Sequence, residues 1–187
     1  MKYFLIAFPV FFILVSATGC SSSPKQLVLH DFGLPVTNST YKSEQGNKLA
    51  ITVDAPTWLW DNRIRYRLLY ASPTRVGFYS LDLWVAPPPE LFEQLLISSG
   101  KIHDYSLSIW MYDFEQQFYA PDRARVVLCF TVEAYSLVSG KKSYTQEFYL
   151  EQPTVTPDAS GAVNGFANLT RQAVDRIQAW LAGLSDK

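Results

Sequence analysis

The chain is short of the residue types from which reactive centres are built. Its 187 residues include only two cysteines and two histidines. His30 and His103 are far apart, and neither belongs to an H-x-x-x-H pattern. No C-x-x-C pair occurs, so metal-ligand spacing is missing. A G-x-S-x-G nucleophile turn and a glycine-rich phosphate loop are also lacking. Asp113 and Glu115 stand two apart on a predicted strand and so share a face. Paired carboxylates need an enclosing cleft to act as acid and base, and both are read here as solvated strand residues. The expectation is a non-enzyme with no catalytic residue, no metal and no bound cofactor. A basic tract is missing too: 16 Lys and Arg face 17 Asp and Glu, for a net charge of −1. Without a clustered cationic footprint, no nucleic-acid partner is expected.

What is abundant is apolar and aromatic. A hydrophobic content of 48% with 18% charge excludes a disordered body, and 15% aromatics favour strands and adhesive surfaces. Much of the grease is at the N-terminus. Met1 and Lys2 form a short positive region, and Tyr3 to Val15 is an apolar run broken only by Pro9. A bilayer span needs about 20 such residues, so the run matches the core of a signal peptide instead. Ala17-Thr18-Gly19-Cys20 then resembles a bacterial lipobox, with alanine where leucine is preferred. The resemblance implies cleavage between Gly19 and Cys20, and N-acyl and S-diacylglycerol lipid on Cys20. The chain divides accordingly into a signal peptide (1–19), an acylated tether (20–26) and a single domain (27–187). Three acyl chains exceed what stable attachment requires. Ser21, rather than aspartate, follows the anchor, which in enterobacterial lipoproteins implies the inner leaflet of the outer membrane, facing the periplasm. Cys129 is then the sole thiol; in the strand-like run VVLCFTV it reads as a packed small residue, not a nucleophile. The sequons at Asn38 and Asn168 are chance matches in such a protein.

Periodicity predicts strands over 26–32, 49–56, 64–70, 75–84, 105–118, 125–138 and 143–152, with period-two alternation clearest in LAITVDAP and RVVLCFTVEA. Pro87-Pro88-Pro89 opens a helix carrying Leu91, Phe92, Leu95 and Leu96, which stops at Gly100. Val163 to Leu184 recur at three- and four-residue steps, predicting a long amphipathic C-terminal helix of about six turns. The fold class expected is α+β: one two-layer domain, a mainly antiparallel twisted sheet with two helices packed on one face.

Two features suit a contact surface. Arg63, Arg65 and Arg67 occupy one side of the strand IRYRLLY. A solvated sheet face cross-paired with acids such as Asp113 or Glu115 is the first reading of this row, and a protein or lipid-headgroup stripe the second. Trp58, Trp60 and Trp84 stand near those arginines. Such aromatics either anchor a protein interface or plug the end of a small core, with Trp58 and Trp60 the better surface candidates because they lie in a connecting segment.

At these residues the chain resembles the ABC-type transport auxiliary lipoprotein family, including its PqiC-like members. The resemblance rests on ITVDAPTWLWDNRIRYRLLY, FYSLDLWVAPPPELFEQLL, YDFEQQF and the C-terminal amphipathic helix, in that order. It implies a membrane-anchored accessory subunit of a lipid-transport system, docking an MCE-domain tunnel protein at the outer membrane as a ring of identical copies. A periplasmic lipid-binding carrier or chaperone is the alternative.

Overall fold

The computed structural model describes residues 26–33, 50–137 and 143–185. Cys20, the signal segment and the predicted turn at 139–142 lie outside the described residues. Seven strands among those described form one mixed sheet: β1 (Val28–His30), β2 (Ile51–Asp54), β3 (Arg63–Leu68), β4 (Val76–Trp84), β5 (Tyr105–Ala120), β6 (Arg123–Ser136) and β7 (Ser143–Pro153). A 3-10 turn at Thr57–Leu59 links β2 to β3, and the helices are α1 (Pro88–Ser99) and α2 (Ala159–Ser185).

The spatial order is β1-β4-β3-β5-β6-β7, with β2 also pairing β5. The longest ladders, β5 with β6 and β6 with β7, are antiparallel, as expected from the alternating runs that build them. The parallel pairings of β1 with β4 and of both β2 and β3 with β5 leave no local mark in the sequence. β5 is long enough to hold β2 along Leu107–Trp110 and β3 along Gln116–Phe118 on one edge. The connecting 3-10 turn fills the gap between them.

Both helices cover one face. Proline at the first positions of α1 needs no N–H there, and Gly100 ends the helix in the left-handed region at φ 60°. Phe92 of α1 meets Phe130 of β6 at a centroid distance of 5.4 Å. Phe166 of α2 stacks on Phe114 of β5 at 3.9 Å and meets Trp84 edge-on at 5.8 Å. Phe32 closes the group, 5.2 Å from Trp84. Val126, Leu128, Phe130, Val132 and Ala134 all point into this core, as the alternation of β6 predicts.

Asp158 starts α2 by accepting the Gly161 N–H at 2.8 Å and the Thr156 hydroxyl at 2.7 Å. A Cβ at Gly161 would stand 1.9 Å from the Thr156 carbonyl oxygen, so the approach of the loop to the helix requires glycine. Gly161→Ala should therefore lose about 1–3 kcal/mol in urea unfolding through overpacking against backbone that cannot move aside. Wild-type stability in that variant would show that the loop is free to shift.

Candidate contact surface

The helix-free face of the sheet carries nearly all the residues singled out from sequence. β5 brings several of them together through a bulge. Leu107, Ile109 and Met111 point to the helices, the register shifts between Met111 and Asp113, and Phe114, Gln116 and Phe118 resume the inward set. Tyr112 and Asp113 therefore both turn outward. The signal is visible in the sequence as a switch of the apolar positions from odd to even numbers across this stretch.

β3 lies alongside, and its three arginines differ in what they meet. Arg67 grips Glu115 with two hydrogen bonds, Nε to Oε1 at 2.9 Å and Nη2 to Oε2 at 3.0 Å, and a third reaches the Pro73 carbonyl at 3.0 Å. This is the cross-strand pairing anticipated for the arginine row. Arg65 donates from Nη1 to the Trp58 carbonyl at 3.0 Å, while its Nε is buried with no partner. Arg63 is held by Asp61, Nη2 to Oδ2 at 2.6 Å, and lies over the Phe78 ring at 3.8 Å.

The tryptophans separate into two roles. Trp84 is only 1% exposed and belongs to the aromatic core, so it offers no contact surface. The expectation that groups it with an interface is corrected by register: Trp84 pairs with His30 on the helix-facing side. Trp58 and Trp60 remain 56% and 43% exposed. Their turn is pinned, because Leu59 between them is buried, Trp60 Nε1 donates to the Ala55 carbonyl at 3.0 Å, and Arg65 holds the Trp58 carbonyl.

Further along the face, Cys129 is buried with Val127 beneath longer polar side chains. Burial, with the carboxylates of Asp113, Glu147, Glu151 and Glu115 nearby, pushes its thiol up to about 12. That is the opposite of an activated nucleophile and agrees with a packed small residue. Around it, Arg125 pairs with Glu151 at 2.8 Å and with Gln117 at 3.1 Å, Gln117 donates to Glu115 at 3.0 Å, and Tyr112 donates to Glu147. This network escapes the sequence because its members come from four strands and meet only through register.

His30 is tied to Asp82 at 2.9 Å, and His103 is exposed, away from it after α1. No group of three or more potential metal ligands exists among the described residues. Asp113 and Glu115 share the helix-free face, but Glu115 is not the solvated residue expected: it is buried at 2% exposure beneath its partners, and the two environments diverge. Glu115 is engaged by Arg67 and Gln117, whereas burial and the neighbouring Glu115 charge raise Asp113 to about 6, against the pull of Arg65 and Arg67.

No protein-family model matches the chain, and no curated protein matches it. Solved structures do. One is the crystal structure of protein XCC0632 from Xanthomonas campestris, of family DUF330, with a TM-score of 0.61 and 18% identity over 73% of this chain and 85% of that one. A second, the crystal structure of an uncharacterized protein, has a TM-score of 0.62 and 14% identity over 83% and 99%. The chain shares their fold.

Two outcomes follow from the charge network. The folded state binds the Asp113 proton more tightly than the unfolded chain, so its contribution weakens stability as pH rises from about 4 to about 6. Asp113→Asn should remove that slope from urea midpoints and gain about 1–2 kcal/mol at pH 7, allowing for partial solvent screening. An unchanged slope would assign the pH dependence to another group. Glu115→Ala strips Arg67 of its two-pronged partner and should cost about 2–4 kcal/mol, read in the same unfolding experiment; a loss under about 0.5 kcal/mol would mean water replaces the carboxylate.

Proposed function

We propose that this protein is a lipid-anchored accessory subunit of an ABC/MCE-type envelope transport system, moving lipid between membranes. It would sit at the outer membrane facing the periplasm and dock the tunnel protein there as a ring of identical copies. What carries this reading is the lipobox-like Ala17-Thr18-Gly19-Cys20, followed by a short polar tether (20–26) and a single α+β domain. The order of the motifs around Trp58, Trp84 and Tyr112 supports the family resemblance. The domain shares its fold with a DUF330 protein, and that likeness carries no function with it.

The contact surface proposed for the tunnel protein or a sibling copy is the pinned Trp58–Trp60 turn with Arg63 beside it. Exposed indoles held in one conformation lose little entropy on binding, which suits an interface anchor. Arg65 and Arg67 support that turn and the sheet beneath it more than they face outward. The carrier alternative requires room for acyl chains between sheet and helices; in the described residues that layer is filled by the stacked rings of Phe114, Phe166, Trp84 and Phe32.

Two measurements test the reading. Mass spectrometry of the native protein should find Cys20 acylated at a new N-terminus, and Cys20→Ser should move the chain out of the membrane fraction. A photo-crosslinker at position 58 or 60 should then capture sibling subunits or an MCE-domain protein. An acylated chain that captures neither at either position would retire the contact surface, and an unprocessed N-terminus would retire the anchor.

A further inference from the structure

The edge strand β1 is left open in a way the rest of the sheet is not. Leu27, Val28 and Leu29 are 50%, 45% and 56% exposed, three consecutive apolar side chains on a strand paired on one side only. Sheet edges are ordinarily blunted by charge, proline or a covering element, and among the described residues none of these protects Leu27–Leu29. The opposite edge, β7, shows the usual treatment: Glu147 and Glu151 line its outward positions.

Register extends the patch. Leu29 pairs with Leu83 of β4, which in turn pairs with Arg63 of β3, so these side chains form one row on the helix-free face. Leu83 is half-buried, and Leu29 lies outside it. The result is an apolar corner at the β1 end of the sheet, with Leu27 and Leu29 outermost and an arginine at its inner margin.

The chain leading to this corner says what covers it. Five residues separate Cys20 from Gln26, six backbone steps with a reach of at most about 20 Å when fully extended. If Cys20 carries acyl chains in the bilayer, β1 is the element of the domain held nearest to it. A tether this short makes the second contact effectively intramolecular, so shallow side chains suffice where free protein would not bind. The headgroup region is hydrated enough to satisfy the open strand edge, which the hydrocarbon core could not do.

We infer that the apolar corner formed by Leu27, Leu29 and Leu83 rests on the phospholipid surface to which the chain is anchored. The inference rests on the lipoprotein reading and adds an orientation to it. β1 faces the membrane, and the remaining open face, from Arg67 across to β7, rises away from it. The Trp58–Trp60 turn, which precedes β3 two strands from β1, stays available to a protein partner beside the membrane.

The test uses the acylated full-length product in vesicles of phosphatidylethanolamine and phosphatidylglycerol at three to one, with or without brominated acyl chains. Leu27→Cys and Leu29→Cys each receive an environment-sensitive fluorophore, and Tyr149→Cys on β7 serves as the control. Cys129 is buried and its thiol held protonated, so the introduced cysteine takes the label. Brominated lipid should quench positions 27 and 29 several-fold more than position 149. Equal, weak quenching at all three, on protein shown to be acylated and vesicle-bound, would overturn the docking and leave the anchor standing. Absence of acyl chains on Cys20 would overturn both. A disulfide between position-29 cysteines of two copies, or quenching lost on self-association, would assign the corner to a second copy and overturn the membrane contact.

Discussion

The stack of Phe114 on Phe166 at 3.9 Å is the contact around which the two layers are organised. It joins the centre of the longest strand to the buried side of the longest helix; Trp84 packs against both rings and Phe32 against Phe114. Phe114 can point inward only because the strand bulges at Tyr112 and resets its phase. Without that reset, every residue after Met111 would exchange faces: Phe114 and Phe118 would be outside, and Glu115 would sit under a helix. The core and the polar face are thus two consequences of one irregularity.

The open face is held together differently from the core. Most of its charged groups are spent on each other: Arg67 on Glu115, Arg125 on Glu151 and Gln117, Arg63 on Asp61. Asp113 has no ion-pair partner within 4 Å among the described residues, and the like charge of Glu115 stands beside it. A face this committed internally is a rigid platform. The Trp58–Trp60 turn and the β1 corner stand apart from that network, as exposed apolar groups. In the proposed accessory role they would be the places for partner contact and membrane apposition.

Much of the fold was legible in the chain. Alternation marked the strands to within two residues or so at most ends, as with 105–118 against Tyr105–Ala120, and the prolines and Gly100 bounded α1. The arginine row was readable as a paired sheet face, and Glu115 was named beforehand as a partner. Less could be foreseen for Trp84. Its neighbours in sequence resemble those of Trp58 and Trp60, and only its pairing with His30 shows that it points inward.

Taken alone, the amino-acid order determined which segments are strands and helices and most of the residues that face inward along each. These are local properties, set by side-chain periodicity of two or 3.6 and by the special backbones of proline and glycine. Tertiary structure alone decided that β1 runs parallel to β4 and both β2 and β3 parallel to β5, that Arg67 rather than Arg65 takes Glu115, that Trp84 is core, and that Leu27 and Leu29 are left exposed. Each of those depends on which strand lies beside which. Hydrogen-bond register between segments tens of residues apart is a property of the assembled sheet, and no stretch of the chain encodes it by itself.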